Sequence, residues 1–336
     1  MTLYCGIDLH SNNHVVVVID DQDRRLVEKR LPNDLSATLR LLAPYIEELH
    51  GIAIESTFNW YWLVDGLMAH GYSVSLVNTP AAQKRYGDLK YRDDRHDAFW
   101  LAHLLRLGIL PTGYIYPKAE RGVRDLLRRR AGLVRVATRQ LISVQSQIWR
   151  STGRRVSSQD IKRADFEPRL EDGHEQLAVV SGLAVLRAAQ IEVNRLERAA
   201  LAVMQPRPEF QVLQTMRGVG PVLGLTISLE TGPIERFAGP GPYASYCRLV
   251  SSQHLSNGKK KGEGNAKAGN KYLSWAFSEA AHFGVRFEPR AKRFYERKRA
   301  QRNGMVAIRA VAHKYARAAY VMLRQQQPFD ARRLFH

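Results

Sequence analysis

Short apolar runs in the first third of the chain predict β-strands. Residues 3–9 and 14–20 are rich in β-branched side chains and are joined by the turn Ser11-Asn12-Asn13, which is typical of a hairpin. Residues 25–31 are a candidate third strand. The chain is therefore predicted to begin with an antiparallel meander.

Helical patterns then alternate with two further strands. Ser36 is the predicted N-cap of the first helix, whose apolar stripe holds Leu39, Leu42, Ile46 and Leu49. The later elements are predicted as a strand at 52–54, a helix at 60–70 stopped by Gly71, a strand at 72–77 and a helix at 93–107 closed by Gly108. Three strands followed by helix, strand, helix, strand and helix is the order of a ribonuclease-H-like α/β fold.

The middle of the chain predicts two long helices with narrow apolar seams. Such seams are typical of a helical hairpin or a coiled coil. They can pack within the chain, or equally well against a partner as a dimerising arm. The polar stretch 151–172 is predicted to connect the helices. The seam residues recur at spacings of three and four, at Leu133, Ala137, Leu141, Val144 and Ile148, and again at Leu186, Ala189, Val193, Leu196 and Ala200.

Two glycine-containing turns mark the mainly helical last third. Gly218 and Gly220 stand between two short helices, where exposed backbone N–H groups can hold a DNA phosphate, although many such turns are only turns. Further on, Ser256-Asn257-Gly258 precedes a run of basic residues. The loop then continues to a helix predicted at 272–283.

The net charge of the chain indicates the kind of partner that it binds. The 336 residues hold 51 Lys plus Arg against 32 Asp plus Glu, a formal charge of +19. Basic residues outnumber acidic ones by 13 to 3 in 118–163 and by 14 to 3 in 286–333. Such an excess favours a polyanionic partner. Because no uninterrupted apolar run of about 18 residues and no N-terminal signal pattern is found, nucleic acid is favoured over a membrane.

Cysteine usage fits the same interpretation. Cys5 and Cys247 form neither a disulfide framework nor a zinc site. The expected location is a bacterial cytoplasm, with nucleoid association when the protein acts. The residues predicted to contact nucleic acid are Arg128, Arg129, Arg130, Gly218, Gly220, Lys259, Lys260, Lys261 and Lys267.

Four carboxylates occupy positions that suggest a metal site. Asp8 lies inside an apolar strand, where a carboxylate is costly to bury unless it binds metal or a cation. Glu55 ends a later strand, and Asp94 and Asp97 share one helix face. Since the first and fourth strands should lie side by side and the later helix can cross their ends, the four should converge. Taken singly, each also fits a salt bridge or a solvated side chain.

Oxygen ligands of this kind suit Mg²⁺ or Mn²⁺. Two such ions about 4 Å apart could stabilise the attacking and leaving oxygens of phosphodiester transfer.

These motifs together resemble the transposases of insertion-sequence family 110, relatives of the Piv-type DNA invertases. That family carries an Asp-Glu-Asp-Asp tetrad on a RuvC-like domain, matched here by Asp8 in GIDLH, Glu55 in AIEST, and Asp94 and Asp97 in DRHDA. Its C-terminal transposase domain is matched by GVGP at 218–221, LSNGKKKGEG at 255–264 and KAGN at 267–270. The resemblance covers nearly the whole chain, in the right order.

The resemblance implies a serine recombinase with three domains. These are a RuvC-like catalytic domain at 1–116, a coiled-coil dimerisation arm at 117–208 and a C-terminal transposase domain at 209–336. Ser256 would attack a scissile phosphate and form a phosphoserine link to DNA, with Mg²⁺ or Mn²⁺ at the tetrad. The lysines at 259, 260, 261 and 267 would neutralise the transition state.

The nucleophile and the partners rest on the same resemblance. The family's loop commonly reads Ser-Gly, whereas Asn257 separates Ser256 from Gly258 here, and Ser251 and Ser252 are competitors. The register of the following Gly-Lys favours Ser256. Because Ser256 lies far beyond the tetrad in sequence, a composite site is expected, whose halves can come from different protomers. The implied partners are donor and target DNA, a noncoding bridge RNA that chooses sequence by pairing, and a homodimer that assembles to a tetramer.

Two other functions compete with this one. A junction-resolving, metal-dependent endonuclease would use the same tetrad to hydrolyse DNA with water, leaving Ser256 structural. A catalytically inert nucleic-acid-binding protein would keep the charge without the metal. The C-terminal Ser/Gly/Lys loop argues against the first alternative, and the intact tetrad argues against the second.

Overall fold

The computed structural model describes residues 1–79, 81–82, 93–203, 207–250, 254–262 and 268–335. It divides the chain into two units, Met1–Lys118 and Ala119–His336. Most of the predicted arm and all of the predicted C-terminal domain belong to the second unit.

A five-stranded mixed sheet is the centre of the first unit. The strands are β1 (Leu3–Leu9), β2 (Asn13–Ile19), β3 (Arg25–Pro32), β4 (Leu49–Glu55) and β5 (Val74–Val77). Their order is β3-β2-β1-β4-β5, with antiparallel pairing from β1 to β3 and parallel pairing of β1 with β4 and of β4 with β5. This confirms the predicted meander and the predicted contact between the first and fourth strands.

Helices cover both faces of the sheet because side chains alternate along its strands. They are α1 (Leu35–Leu42), followed by a 3₁₀ turn (Ala43–Tyr45), α2 (Tyr61–Ala69) and α3 (Asp94–Arg106). On β1, Cys5 and Ile7 belong to the core that includes α2. Val15 and Val17 of β2 pack on the opposite face, with Ala98 of α3.

The N-cap of α1 corrects one expectation. Asp34, not Ser36, caps the helix, because its carboxylate accepts from the backbone N–H of Ser36 at 2.9 Å. Aspartate is at least as good an N-cap as serine, and only the backbone conformation shows which of two neighbouring candidates begins the helix. The helix therefore starts earlier than its sequence pattern indicates.

A helical hairpin forms the first part of the second unit. It consists of α4 (Lys118–Thr152), the short α5 (Ser158–Ile161) and α6 (Gly173–Ala202). Leu141, Val144 and Ile148 of α4 pack with Leu183 and Leu186 of α6 in one cluster. The seams thus pack against each other within the chain, which is one of the two arrangements that the sequence left open. By length and composition alone, α6 is also the one helix in the described residues that could cross a membrane.

Short helices and a small hairpin complete this unit. They are α7 (Pro208–Gln214), α8 (Pro221–Thr231), a 3₁₀ turn (Ile234–Arg236), α9 (Pro240–Tyr246), the β6–β7 hairpin (His254–Ser256 and Lys259–Gly262), α10 (Lys271–Phe287), α11 (Pro289–Gln301), α12 (Gly304–Gln325) and α13 (Ala331–Leu334). Their core is centred on Tyr243, Phe277 and Tyr315. A smaller cluster joins Leu127 and Ala200 of the helical hairpin to Leu225 and Leu229 of α8.

Candidate active site

The first unit brings the four predicted carboxylates together on the α3 face of the sheet. Asp8 lies between the core residues Ile7 and Leu9 on β1. Because successive side chains of a strand point to opposite faces, the Asp8 side chain points away from α1 and α2. On β4, Glu55 likewise alternates with Ile54. The helix α3 carries Asp94 and Asp97 in its first turn.

Gly6 allows α3 to lie directly on β1. A Cβ atom at this position would stand 2.0 Å from the Ala98 carbonyl oxygen and 2.7 Å from the Ala102 nitrogen. Both neighbours are backbone, which cannot rotate aside as the end of a side chain can. The glycine two residues before Asp8 thus permits the close approach of the helix that carries Asp94 and Asp97.

The electrostatics of the site centre on Asp8, which is only 3% exposed. Burial raises the pKa of Asp8 to about 8, helped by a hydrogen bond with Glu55 and by the charges of Glu55, Asp97 and Asp94. Carboxylates crowded in this way repel one another in their ionised forms. A bound cation would offset that repulsion.

Asp94 is oriented by Arg30 of β3. The Arg30 guanidinium donates to Asp94 Oδ2 at 2.5 Å and to Asn13 Oδ1 at 2.7 Å. The hydrogen bond from Arg30 is the main reason that the pKa of Asp94 lies below its usual value. Arg30 was not among the predicted site residues, since it comes from an exposed strand with no motif around it.

His10 is a second side chain that the sequence analysis missed. Its Nε2 atom lies 3.1 Å from Asp8 Oδ2 and 3.2 Å from Asp94 Oδ1. One ligand atom from each of the three residues lies within 4.8 Å of the other two. The sequence GIDLH could have indicated its position, because His10 follows Asp8 by two residues and such residues lie on the same face of a strand.

The donors at this site fit a divalent metal. Carboxylate oxygens are the ligands preferred by Mg²⁺ and Mn²⁺, and imidazole nitrogen adds affinity for the first-row transition metals. The carboxylates of Asp8, Glu55, Asp94 and Asp97 could hold such an ion, and the His10 imidazole lies beside two of them.

The predicted nucleophile lies at the tip of the β6–β7 hairpin in the second unit. Ser256 and Lys259 face each other across a two-residue turn whose central residues, Asn257 and Gly258, have φ of 50° and 70°. Two successive positive φ angles are the mark of a type I′ hairpin turn, and Asn-Gly is its preferred sequence. The segment was predicted as a loop, and the Asn-Gly pair was the signal that could have corrected this.

Directly paired residues of a hairpin carry their side chains on the same face. The register therefore places Lys259 beside Ser256, and both are exposed. Lys261 is also exposed. Ser251, Ser252 and Lys267 lie outside the described residues, as does the side chain of Lys260.

Comparison with known proteins identifies the family of this chain. Residues 5–149, which include all four carboxylates, match the model of the DEDD-type transposase of IS110 elements. Residues 210–296, which include the serine hairpin, match that of the IS116/IS110/IS902 transposase family. The chain belongs to the IS110 family of transposases.

Individual relatives support the same family. The mini-circle transposase assigned to IS117 in Streptomyces coelicolor is 24% identical over an alignment that covers 100% of this chain and 97% of the relative. The transposase assigned as y4qE in Sinorhizobium fredii is also 24% identical, over 68% of this chain and 57% of the relative. A 43.6 kDa protein of insertion element IS110, again from S. coelicolor, is 27% identical over 46% of this chain and 38% of its own length.

A buried network anchors the segment that follows the serine hairpin in this transposase. Gly269 has a φ of 93°, and a Cβ there would stand 2.4 Å from the Tyr246 carbonyl oxygen. Asn270 caps α10 through Oδ1 and donates from Nδ2 to Glu230 at 2.7 Å. Glu230 is 2% exposed and also accepts two hydrogen bonds from Arg128, at 2.6 and 2.8 Å. The Gly-Asn end of the KAGN motif therefore fixes where the hairpin segment returns to the helical core.

The other residues predicted to contact nucleic acid differ in their surroundings. Arg128 is held by Glu230, and Arg130 is paired with Glu197 at 3.0 Å, so both already contact carboxylates. Gly218 packs against α10, where a Cβ would stand 2.4 Å from the Ala280 carbonyl oxygen. By contrast, Arg129 and Gly220 are exposed.

Proposed function

We propose that this transposase cuts and rejoins DNA through a phosphoserine intermediate formed by Ser256. Attack by Oγ on a scissile phosphate forms a P–O bond to the serine and breaks the P–O bond to the leaving sugar oxygen. The hydroxyl gives up its proton, and the leaving oxygen gains one. The reverse reaction with a new strand end rejoins DNA without ATP, because the serine ester keeps a phosphodiester-like bond.

The observation that carries the metal-dependent part is the crowding of carboxylates around buried Asp8. Asp8, Glu55, Asp94 and Asp97 are proposed to hold Mg²⁺, with Mn²⁺ as an alternative. The bound ion would supply Lewis-acid polarisation of the phosphate. The strand order of the first unit also fits the RuvC-like fold proposed for it.

Around the serine, each residue has a proposed task. Lys259, opposite Ser256 in the hairpin, would stabilise the charge of the pentavalent phosphate, with Lys260, Lys261 and Lys267 along the same segment. Asn257 and Gly258 hold the turn that presents the hydroxyl. Exposed Arg129 and Gly220 would contact the phosphate backbone.

We also propose that a noncoding bridge RNA guides the choice of donor and target DNA. The support is the formal charge of +19 together with membership of the IS110 family. A homodimer that assembles to a tetramer is proposed on the same grounds. Exposed apolar side chains on the helical hairpin, such as Ile142, Leu177 and Ile191, are available for such contacts.

A covalent-capture experiment tests the proposal. The purified transposase is incubated with Mg²⁺, the RNA that flanks its element and labelled DNA carrying the element junction, and is then run on a denaturing protein gel. Label should travel with the wild type and disappear with Ser256→Ala and Asp97→Ala. Ser245→Ala changes another exposed serine of the same unit and should behave as wild type.

The other outcomes are equally specific. If DNA is cut but never attached to protein, and Ser256→Ala cuts as well as wild type, the hydrolytic nuclease replaces the serine mechanism. If strand exchange proceeds without the RNA, the guided choice of target is wrong.

A further inference from the structure

His10 is held in place more firmly than an ordinary residue after a strand. Its backbone N–H donates to the Asn13 carbonyl at 2.9 Å. Its own carbonyl accepts from Asn33 Nδ2 at 3.0 Å and from Asn59 Nδ2 at 2.9 Å. Asn33 follows β3 and Asn59 follows β4, so side chains from two separate loops fix this one backbone position. Such outer support is typical of residues whose side chains must be placed accurately.

The imidazole is aimed at the acidic site. Nε2 is a buried atom and, among the described residues, has no partner in hydrogen-bonding geometry. It is nevertheless 3.1 Å from an oxygen of Asp8 and 3.2 Å from an oxygen of Asp94. Donor atoms that bind one ion at about 2.1 Å lie about 3 Å from one another. The distances from Nε2 to the two carboxylate oxygens match that spacing, so the unprotonated ring is placed to be a third ligand of a shared ion.

Arg30 completes the arrangement from the other side of Asp94. It bonds Oδ2, which leaves Oδ1 turned toward His10. One oxygen of Asp94 thus bonds the Arg30 guanidinium, and the other faces the proposed metal site. Asp8 lies on β1 and His10 follows that strand two residues later on the same face, so the backbone sets their spacing.

We propose that His10 is a nitrogen ligand of the divalent cation held by Asp8 and Asp94. This rests on the metal site proposed above and adds a ligand outside the tetrad. Because Mg²⁺ favours oxygen ligands and imidazole favours first-row transition metals, His10 makes the site prefer Mn²⁺ or Co²⁺ over Mg²⁺ more strongly than the carboxylates alone would. Asn33 and Asn59 act as positioning residues for the ring.

Electron spin echo spectroscopy of Mn²⁺ bound to the full-length protein tests this directly, since a coordinated imidazole gives a nitrogen coupling. The wild type should show that coupling, and His10→Gln should lose it while binding Mn²⁺ at least about tenfold more weakly. Affinity for Mg²⁺ should fall by a smaller factor. His70→Gln, at an exposed histidine of the same unit, is the matched control and should retain both the coupling and the affinity.

Asn59→Ala, a second variant, keeps the ring but removes one support. It should keep the nitrogen coupling and bind Mn²⁺ several-fold more weakly, so the inference does not depend on the folding of His10→Gln. Asp8→Asn separates the two proposals. If Mn²⁺ binds the wild type without nitrogen coupling, and Asp8→Asn abolishes this binding, the role of His10 is wrong and the acidic metal site stands. If Asp8→Asn binds Mn²⁺ as tightly as wild type, or if the wild type binds none, the metal site itself fails.

Discussion

At the scale of the residue, Asp8 combines two opposed requirements. Its strand is buried on both faces, which favours an apolar side chain, yet it carries a carboxylate that is 3% exposed. Burial and three neighbouring acids raise the pKa of Asp8 to about 8. Ionising Asp8 therefore costs free energy in the metal-free protein, which fits the proposed role of this carboxylate in binding a metal.

This leads to a pH-dependent prediction for the metal-free protein. Because the pKa of Asp8 is higher in the folded than in the unfolded state, Asp8 favours folding at low pH and this contribution is lost as the pH rises from about 4 to about 8. In EDTA, the free energy of unfolding of the wild type should decline over this window by about 5 kcal/mol more than that of Asp8→Asn, since the pKa of Asp8 rises by about four units on folding. Urea unfolding of both proteins at several pH values measures the difference.

Saturating Mn²⁺ is the control for this experiment. It should remove the extra decline in the wild type and leave Asp8→Asn unchanged, since a ligand stabilises only the state that binds it. Parallel pH profiles for the two metal-free proteins would show that Asp8 does not titrate as described.

The candidate site illustrates what the sequence could predict. Element order alone was enough to bring Asp8 and Glu55 onto neighbouring strands, because parallel strands joined by a helix have few possible arrangements. His10 could have been predicted as well, because it lies two residues after Asp8 and therefore on the same face of the strand. Arg30 could not be found this way, because its hydrogen bond with Asp94 joins residues that are far apart in sequence and no motif connects them.

At the scale of the element, the β6–β7 hairpin depends on its turn. It has three and four residues in its strands, so the turn contributes much of its stability. Gly258 has a φ of 70°, and a Cβ there would meet nothing within 4 Å. A substitution would therefore act through backbone strain and not through a clash.

We predict that Gly258→Ala impairs covalent DNA capture while the protein stays folded. The left-handed conformation should cost about 1 kcal/mol with alanine, which reduces the hairpin population and lowers activity about fivefold. Gly153→Ala is the matched control, because Gly153 also has a φ of 70° with open space around it but lies at the end of α4. It should cost similar stability and leave capture unchanged. Equal loss of activity in both variants would mean that the turn is not what presents Ser256.

The element scale also shows where sequence patterns were insufficient. The seams of α4 and α6 predicted two packed helices, and Leu141 and Leu186 are buried together as expected. The same pattern could not decide between a partner inside the chain and one outside it, because both bury the same stripe. The hairpin was missed for a different reason, since the family resemblance treated Asn257 as an interruption in a loop.

At the scale of the whole molecule, positive charge is the dominant property. The formal charge of +19 is concentrated in two regions, one of which includes α11. On α11, Arg293 and Arg299 are exposed and form no ion pair with any residue that the structure describes, so they are available to phosphates. Each phosphate contact made by such a residue releases a counterion, and the affinity for DNA then falls with salt.

Two double variants distinguish a binding surface on α11 from an effect of net charge alone. Arg293→Ala with Arg299→Ala should weaken DNA binding and reduce the slope of log affinity against log salt by about 2, as expected for two lost phosphate contacts. Arg163→Ala with Arg195→Ala removes the same formal charge, but those residues are already paired with Asp165 and Glu192. This control should change the slope by less than about 0.5. Fluorescence anisotropy with labelled duplex DNA over a salt series measures both. Equal reductions would mean that binding follows total charge, and that α11 is not a preferred surface for the phosphate backbone.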